Sequence, residues 1–119
     1  MKILLLANTV FELLVAVVVV FAPSILGGVN TSNVMARVLG GNALGLATLS
    51  AAMFLLNPKE FRYLQAGFIA LAVFHTSVTV AQIFNTLEGA VPFPVVLVHG
   101  LFALSFSYFT HRIFVTQGK

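Results

Sequence analysis

Apolar residues along this chain fall into four long runs, and the polar and turn-forming residues gather at three breaks between them. The first run, ILLLANTVFELLVAVVVVF from Ile3 to Phe21, is apolar nearly throughout, yet Glu12 sits at its midpoint. It predicts a helix over residues 3–22, stopped by Pro23, because the residue before a proline is steered out of the helical region. PSILGGVNTSN follows as a loop, with Thr31, Ser32 or Asn33 available to cap a second helix over residues 34–56. NPKEF is a tight turn, and Pro58 suits the first turn of a third helix over residues 60–86. GAVPFP makes the last break, and Pro92 and Pro94 open a fourth helix over residues 93–114. Each run meets the roughly 20 residues that a bilayer core demands. None shows the period-2 alternation of barrel strands, so helices are expected. The predicted fold is all-α: one domain, residues 1–119, with four transmembrane helices in an antiparallel up-down bundle.

Composition agrees with that pattern. Of 119 residues, 60% are hydrophobic and 8% charged, against about 25% charged in an average soluble domain. The four runs use nearly all of these residues, so no soluble catalytic domain is expected. There is no cysteine, which excludes disulfides, thiolate catalysis and cysteine metal sites. The formal net charge of +3 rests on six basic residues. They form no stripe that would neutralise a row of phosphates, so nucleic acid is not an expected partner. Lys2, Lys59, Arg62, Arg112 and Lys119 lie at one side of the predicted spans, and Arg37 lies within the second. That asymmetry predicts that both termini are cytoplasmic. Lys2 followed by an apolar stretch resembles a signal peptide, but the stretch exceeds the usual core of roughly 7–15 residues. Glu12 interrupts it and Pro23 follows Ala22, the plausible small-residue site, so retention as a span is expected.

Counting from the turns estimates the depth of each polar residue, at about 1.5 Å per residue. Glu12, Asn42 and His75 each fall roughly fifteen positions from a turn centre, forming one tier near the bilayer centre. Arg37 and His99 fall roughly ten positions from theirs, on a second tier about 7–8 Å nearer the outside, with Gln82 slightly above. His75, Thr79, Gln82 and Thr86 follow 4-3-4 spacing, the one clear polar stripe. Arg37, Gly41, Gly45, Thr48 and Ala52 share a face of the second span. Gly41 and Gly45 form a G-x-x-x-G pattern that admits a close helix neighbour.

A charged carboxylate facing acyl chains costs at least about 2.5–3.5 kcal/mol. Glu12 is therefore expected to face other helices, meeting Asn42, His75 or Arg37. That set, with Gln82 and His99, is the candidate ligand-binding or proton-binding cluster. Its simpler role is structural, an ion pair or hydrogen-bonded pair that fixes helix register. Two histidines on consecutive antiparallel helices raise the question of haem, but their different tiers argue against a shared iron. Glu12, His75 and His99 are ligand types that suit zinc or iron. No H-x-x-x-H spacing supports such a site, and no metal is expected. Gln82, Asn85 and Thr86 either line a shallow outer pocket or satisfy the end of a span. Phe102, Phe106 and Phe109 suggest lipid contact or packing. No nucleophile with its base, phosphate loop or dinucleotide fingerprint is present, so an enzyme is not expected.

The segments FELLVAVVVVFAP, ARVLGGNALGLA, VFHTSVTVAQ and PVVLVHG together resemble the small four-helix bacterial membrane proteins of the DoxX-like type, including related families of unknown function. The resemblance spans most of the chain, on short and permissive motifs. It implies a four-helix bundle in the bacterial inner membrane. Some members are associated with quinone-linked redox systems as one subunit among several, so a quinone is among the ligands it implies. No catalytic set carries over, and this chain lacks the cysteines that redox-active relatives use. The expected role is an accessory or scaffolding subunit of a membrane assembly or homo-oligomer, in contact with the lipid bilayer. The alternative is binding or transport of a small molecule, lipid, quinone or proton through the polar cluster.

Overall fold

The computed structural model describes residues 1–22, 33–56, 61–89 and 91–117. All described regular structure is α-helical. The helices are α1 (Lys2–Phe21), α2 (Asn33–Leu56), α3 (Phe61–Leu87) and α4 (Phe93–Gln117). Every one contains a stretch long and apolar enough to cross a membrane. Leu6, Leu13, Leu14 and Val17 on α1, Val73 and Phe84 on α3, and Leu97, Leu101 and Leu104 on α4 are exposed. In water such surfaces would drive aggregation, whereas in lipid they are solvated. The chain is a multi-pass membrane protein. The capping residues Thr31 and Ser32 and the NPKE part of the second turn lie outside the described residues.

Two compact units make up the chain, Lys2–Leu55 and Leu56–Lys119, the second also taking in Met1. The first is the hairpin of α1 and α2. Asn8, early in α1, contacts Ser50, late in α2. Val20, near the end of α1, meets Gly40, early in α2. This pairing makes the helices antiparallel. The buried positions of α1 are Leu5, Asn8, Glu12, Ala16 and Val19, and their 3-4-4-3 spacing is one helix face. On α2 the buried face is Ala43, Ala47, Ser50 and Met53. Small side chains there let the two backbones come close, as packing between membrane helices favours. Gly40 is a point of close approach: a Cβ at this position would collide with the Val20 side chain and lie 3.2 Å from the Ala16 carbonyl oxygen.

The second unit is the hairpin of α3 and α4. Leu64, Phe68, Leu71, Ala72 and His75 are buried on α3, and Val96, His99, Ala103, Phe106 and Ile113 on α4. Phe68 packs edge-on against Phe106, with ring centroids 5.6 Å apart. The turn between the helices begins at Glu88, whose N–H still bonds the Phe84 carbonyl at 3.0 Å. Gly89 then bonds Thr86 at 3.0 Å and adopts φ +74°. That left-handed conformation is the usual glycine stop of a helix. Pro94 falls in the first turn of α4, where its missing N–H costs no helix bond.

Candidate functional site

Each hairpin buries its own polar group. In the first, the Asn8 side-chain amide donates a 2.8 Å hydrogen bond to the Ser50 hydroxyl oxygen, and both residues are fully buried. Glu12 follows Asn8 by four residues, one helical turn further on, on the same buried face of α1. Its exposure is 1%, so the acid is turned away from the lipid-facing side of its helix. Thr9 is satisfied locally, its hydroxyl donating to the Leu5 carbonyl at 2.8 Å.

In the second hairpin the two interior histidines meet. Nδ1 of His75 and Nδ1 of His99 lie 3.2 Å apart. At this distance an Nδ1–H on one ring reaches the lone pair of the other when the two rings hold opposite tautomers. His75 is fully buried and His99 is 7% exposed. Aromatic rings hold them in place. Phe102 and Phe106 stack against the His75 ring, with centroids 5.0 and 5.6 Å away. Phe74 meets it edge-on at 5.2 Å. The backbone above the pair is also tied down: the Thr79 hydroxyl donates to the His75 carbonyl at 2.7 Å.

The residues singled out in the sequence fare differently. His75 and His99 come together, although counting places them on separate tiers. Counting measures backbone height along straight helices, while side-chain reach and helix tilt close an offset of about five residues. Their contact does not suit haem. Two axial ligands stand on opposite sides of a haem iron, about 4 Å apart at metal–nitrogen bonds of about 2.0 Å, with the macrocycle between them. Here the nitrogens are 3.2 Å apart, and Phe102 and Phe106 stack on the His75 ring where a macrocycle would have to lie.

Asn42 is exposed rather than interior, and its side chain has no hydrogen-bond partner among the described residues. Gly41 and Gly45 are exposed too, and a Cβ at either would meet nothing within 4 Å. At 100° per residue they lie across the helix from buried Ala43 and Ala47, so close packing inside the chain falls to Gly40 instead. Gln82 is half-buried and its side-chain oxygen accepts a 3.1 Å hydrogen bond from Asn85. The side chain of Arg37 lies outside the described residues.

Sequence reasoning missed the Asn8–Ser50 bond and the framing of His75 by Phe102 and Phe106. A signal for the first was present, since Asn8 precedes Glu12 by four residues and therefore shares its face. No signal in the sequence identifies Ser50 as its partner. No family model matches the chain, no curated protein matches it, and no solved structure matches it.

Proposed function

We propose that this protein is an accessory or scaffolding subunit, working as a homo-oligomer or within a larger membrane assembly. The observation that carries this reading is the exposed face of α2. Gly41, Asn42 and Gly45 share the exposed side of a helix that crosses the membrane. An amide with no partner in hydrocarbon costs roughly 2–7 kcal/mol. A neighbouring helix supplies the missing hydrogen bond, and the two glycines let its backbone approach. An interhelical hydrogen bond of this kind contributes about 0.6–2 kcal/mol to association. The Lys and Arg asymmetry supports an inner-membrane orientation with both termini in the cytoplasm. The short motifs resembling the DoxX-like proteins support a bacterial source and a subunit role.

Extraction of the tagged chain from native membranes under mild conditions, followed by native mass measurement, tests this. The wild type is expected to travel with further chains or as a defined multimer. Asn42→Leu is expected to release a single chain while leaving the helical content unchanged. A wild-type particle containing one chain alone would remove the proposal.

A second reading has its own observation. Glu12, His75 and His99 are ionisable residues buried in predominantly apolar helices long enough to cross a membrane, and ionisable groups inside membrane helices mark ligand or proton pathways by default. On this reading, Glu12→Gln and His75→Ala abolish binding or proton movement and still accumulate in the membrane. If both variants fail to accumulate, these residues serve the fold alone.

A further inference from the structure

We propose that His75 and His99 form a binding site for a transition-metal ion of the zinc class. The argument is geometric. Two nitrogens bound to one ion at about 2.0–2.1 Å and separated by 3.2 Å subtend about 100–105° at the metal. That is close to the tetrahedral angle zinc adopts. The pair already stands at ligand-to-ligand spacing, so metal entry needs no large movement of α3 or α4.

Preorganisation supports the same conclusion. Each imidazole projects from a rigid helix rather than a loop. Phe74, Phe102 and Phe106 restrict the His75 ring, and the Thr79 bond steadies the backbone that carries it. Ligands locked in this way lose little freedom on binding. Imidazole nitrogen is a ligand that zinc, copper and nickel accept readily, whereas magnesium and calcium prefer oxygen.

Proton accounting is simple. Without metal, one ring carries its proton on Nδ1 and donates it across the pair. With metal, both Nδ1 atoms offer lone pairs to the ion, so the donor ring moves its proton to Nε2. Both rings stay neutral and no net proton leaves. The ion's remaining positions take water or another added ligand. This inference is independent of the subunit role proposed above and does not need a partner chain.

The test uses the full chain in lipid nanodiscs, stripped with a chelator and titrated with Zn2+ in competition with a chromophoric chelator. One Zn2+ per chain is expected. His75→Ala and His99→Ala are each expected to weaken binding by about tenfold or more, since even loss of an outer-shell partner costs 10–100-fold. His111→Ala, at an exposed histidine on α4, is expected to leave the affinity unchanged. X-ray absorption at the zinc edge of the loaded wild type is expected to show two imidazoles at about 2.0 Å. That measurement decides the matter if either interior variant fails to fold. Failure of the wild type to bind stoichiometric Zn2+ overturns the proposal. So does a zinc spectrum without an imidazole pair, or a loss of binding confined to His111→Ala.

Discussion

Single atoms decide several outcomes in this protein. Gly40 and Gly41 are neighbours in sequence, yet a methyl group at Gly40 meets Val20 and the Ala16 carbonyl, while one at Gly41 meets open space. Overpacking a close helix contact costs typically about 1–3 kcal/mol. Gly40→Ala should therefore destabilise the α1–α2 hairpin by that amount in a reversible unfolding assay in detergent, and Gly41→Ala should leave the isolated chain unchanged. The Asn8–Ser50 bond predicts a second pattern. Ser50→Ala leaves the Asn8 amide without this partner and should cost about 0.5–2 kcal/mol. Asn8→Leu combined with Ser50→Ala should cost less than the sum of the two single changes, because the second removes nothing the first has not already broken. At this scale the sequence was only partly legible. Glu12 stands out because a lone carboxylate in an apolar run has few tolerable surroundings. Asn42 misleads because depth is not direction. Small residues occur on both the buried and the exposed side of α2, so no polar stripe tells which face α1 will cover; size suits Ala43 and Ala47 to that face, and Ser50 joins it through its bond to Asn8.

Whole helices were far easier to read. The expected helix over residues 3–22 is observed as Lys2–Phe21, and that over residues 60–86 as Phe61–Leu87. Long apolar runs punctuated by proline and glycine leave little freedom in where a membrane helix begins and ends. The α3–α4 turn shows the mechanism, since Gly89 takes a positive φ that side-chain-bearing residues adopt at a cost. Gly89→Ala should destabilise the second hairpin by about 1 kcal/mol, although its Cβ would touch nothing. The penalty is conformational, so a Gly89→Asn variant, better suited to left-handed backbone, should recover part of it. The aromatic core between α3 and α4 should be less forgiving. Phe106 is fully buried and contacts both Phe68 and His75. Its replacement by alanine should cost about 3–5 kcal/mol and loosen the histidine pair, which the zinc titration would register as weaker binding.

For the molecule as a whole, the decisive fact is the solvent it is built for. Among the described residues the exposed large side chains on all four helices are mostly apolar, and Glu12 is a charged-type residue held at mid-helix and buried. Arg112 and Tyr108 near the end of α4 illustrate the interfacial arrangement: the guanidinium lies 6.0 Å from the ring centroid and bonds the phenol oxygen at 3.4 Å. Such residues anchor a helix at the headgroup level. A reporter fused after residue 119 is expected to be active in the cytoplasm, and an externally active fusion would reverse the orientation. Among the described residues the α2 face is an exception to this lipid-facing surface, because it offers glycines and an amide where Val38, Leu39 and Leu44 offer large apolar side chains. Placing a photo-reactive amino acid at Gly45 in intact membranes tests that exception most directly. Irradiation should yield a discrete adduct larger than one chain, and the same probe at Leu14 on α1 should yield only lipid adducts. Lipid adducts alone at both positions would mean that the glycine face meets no protein, and the subunit role would not survive.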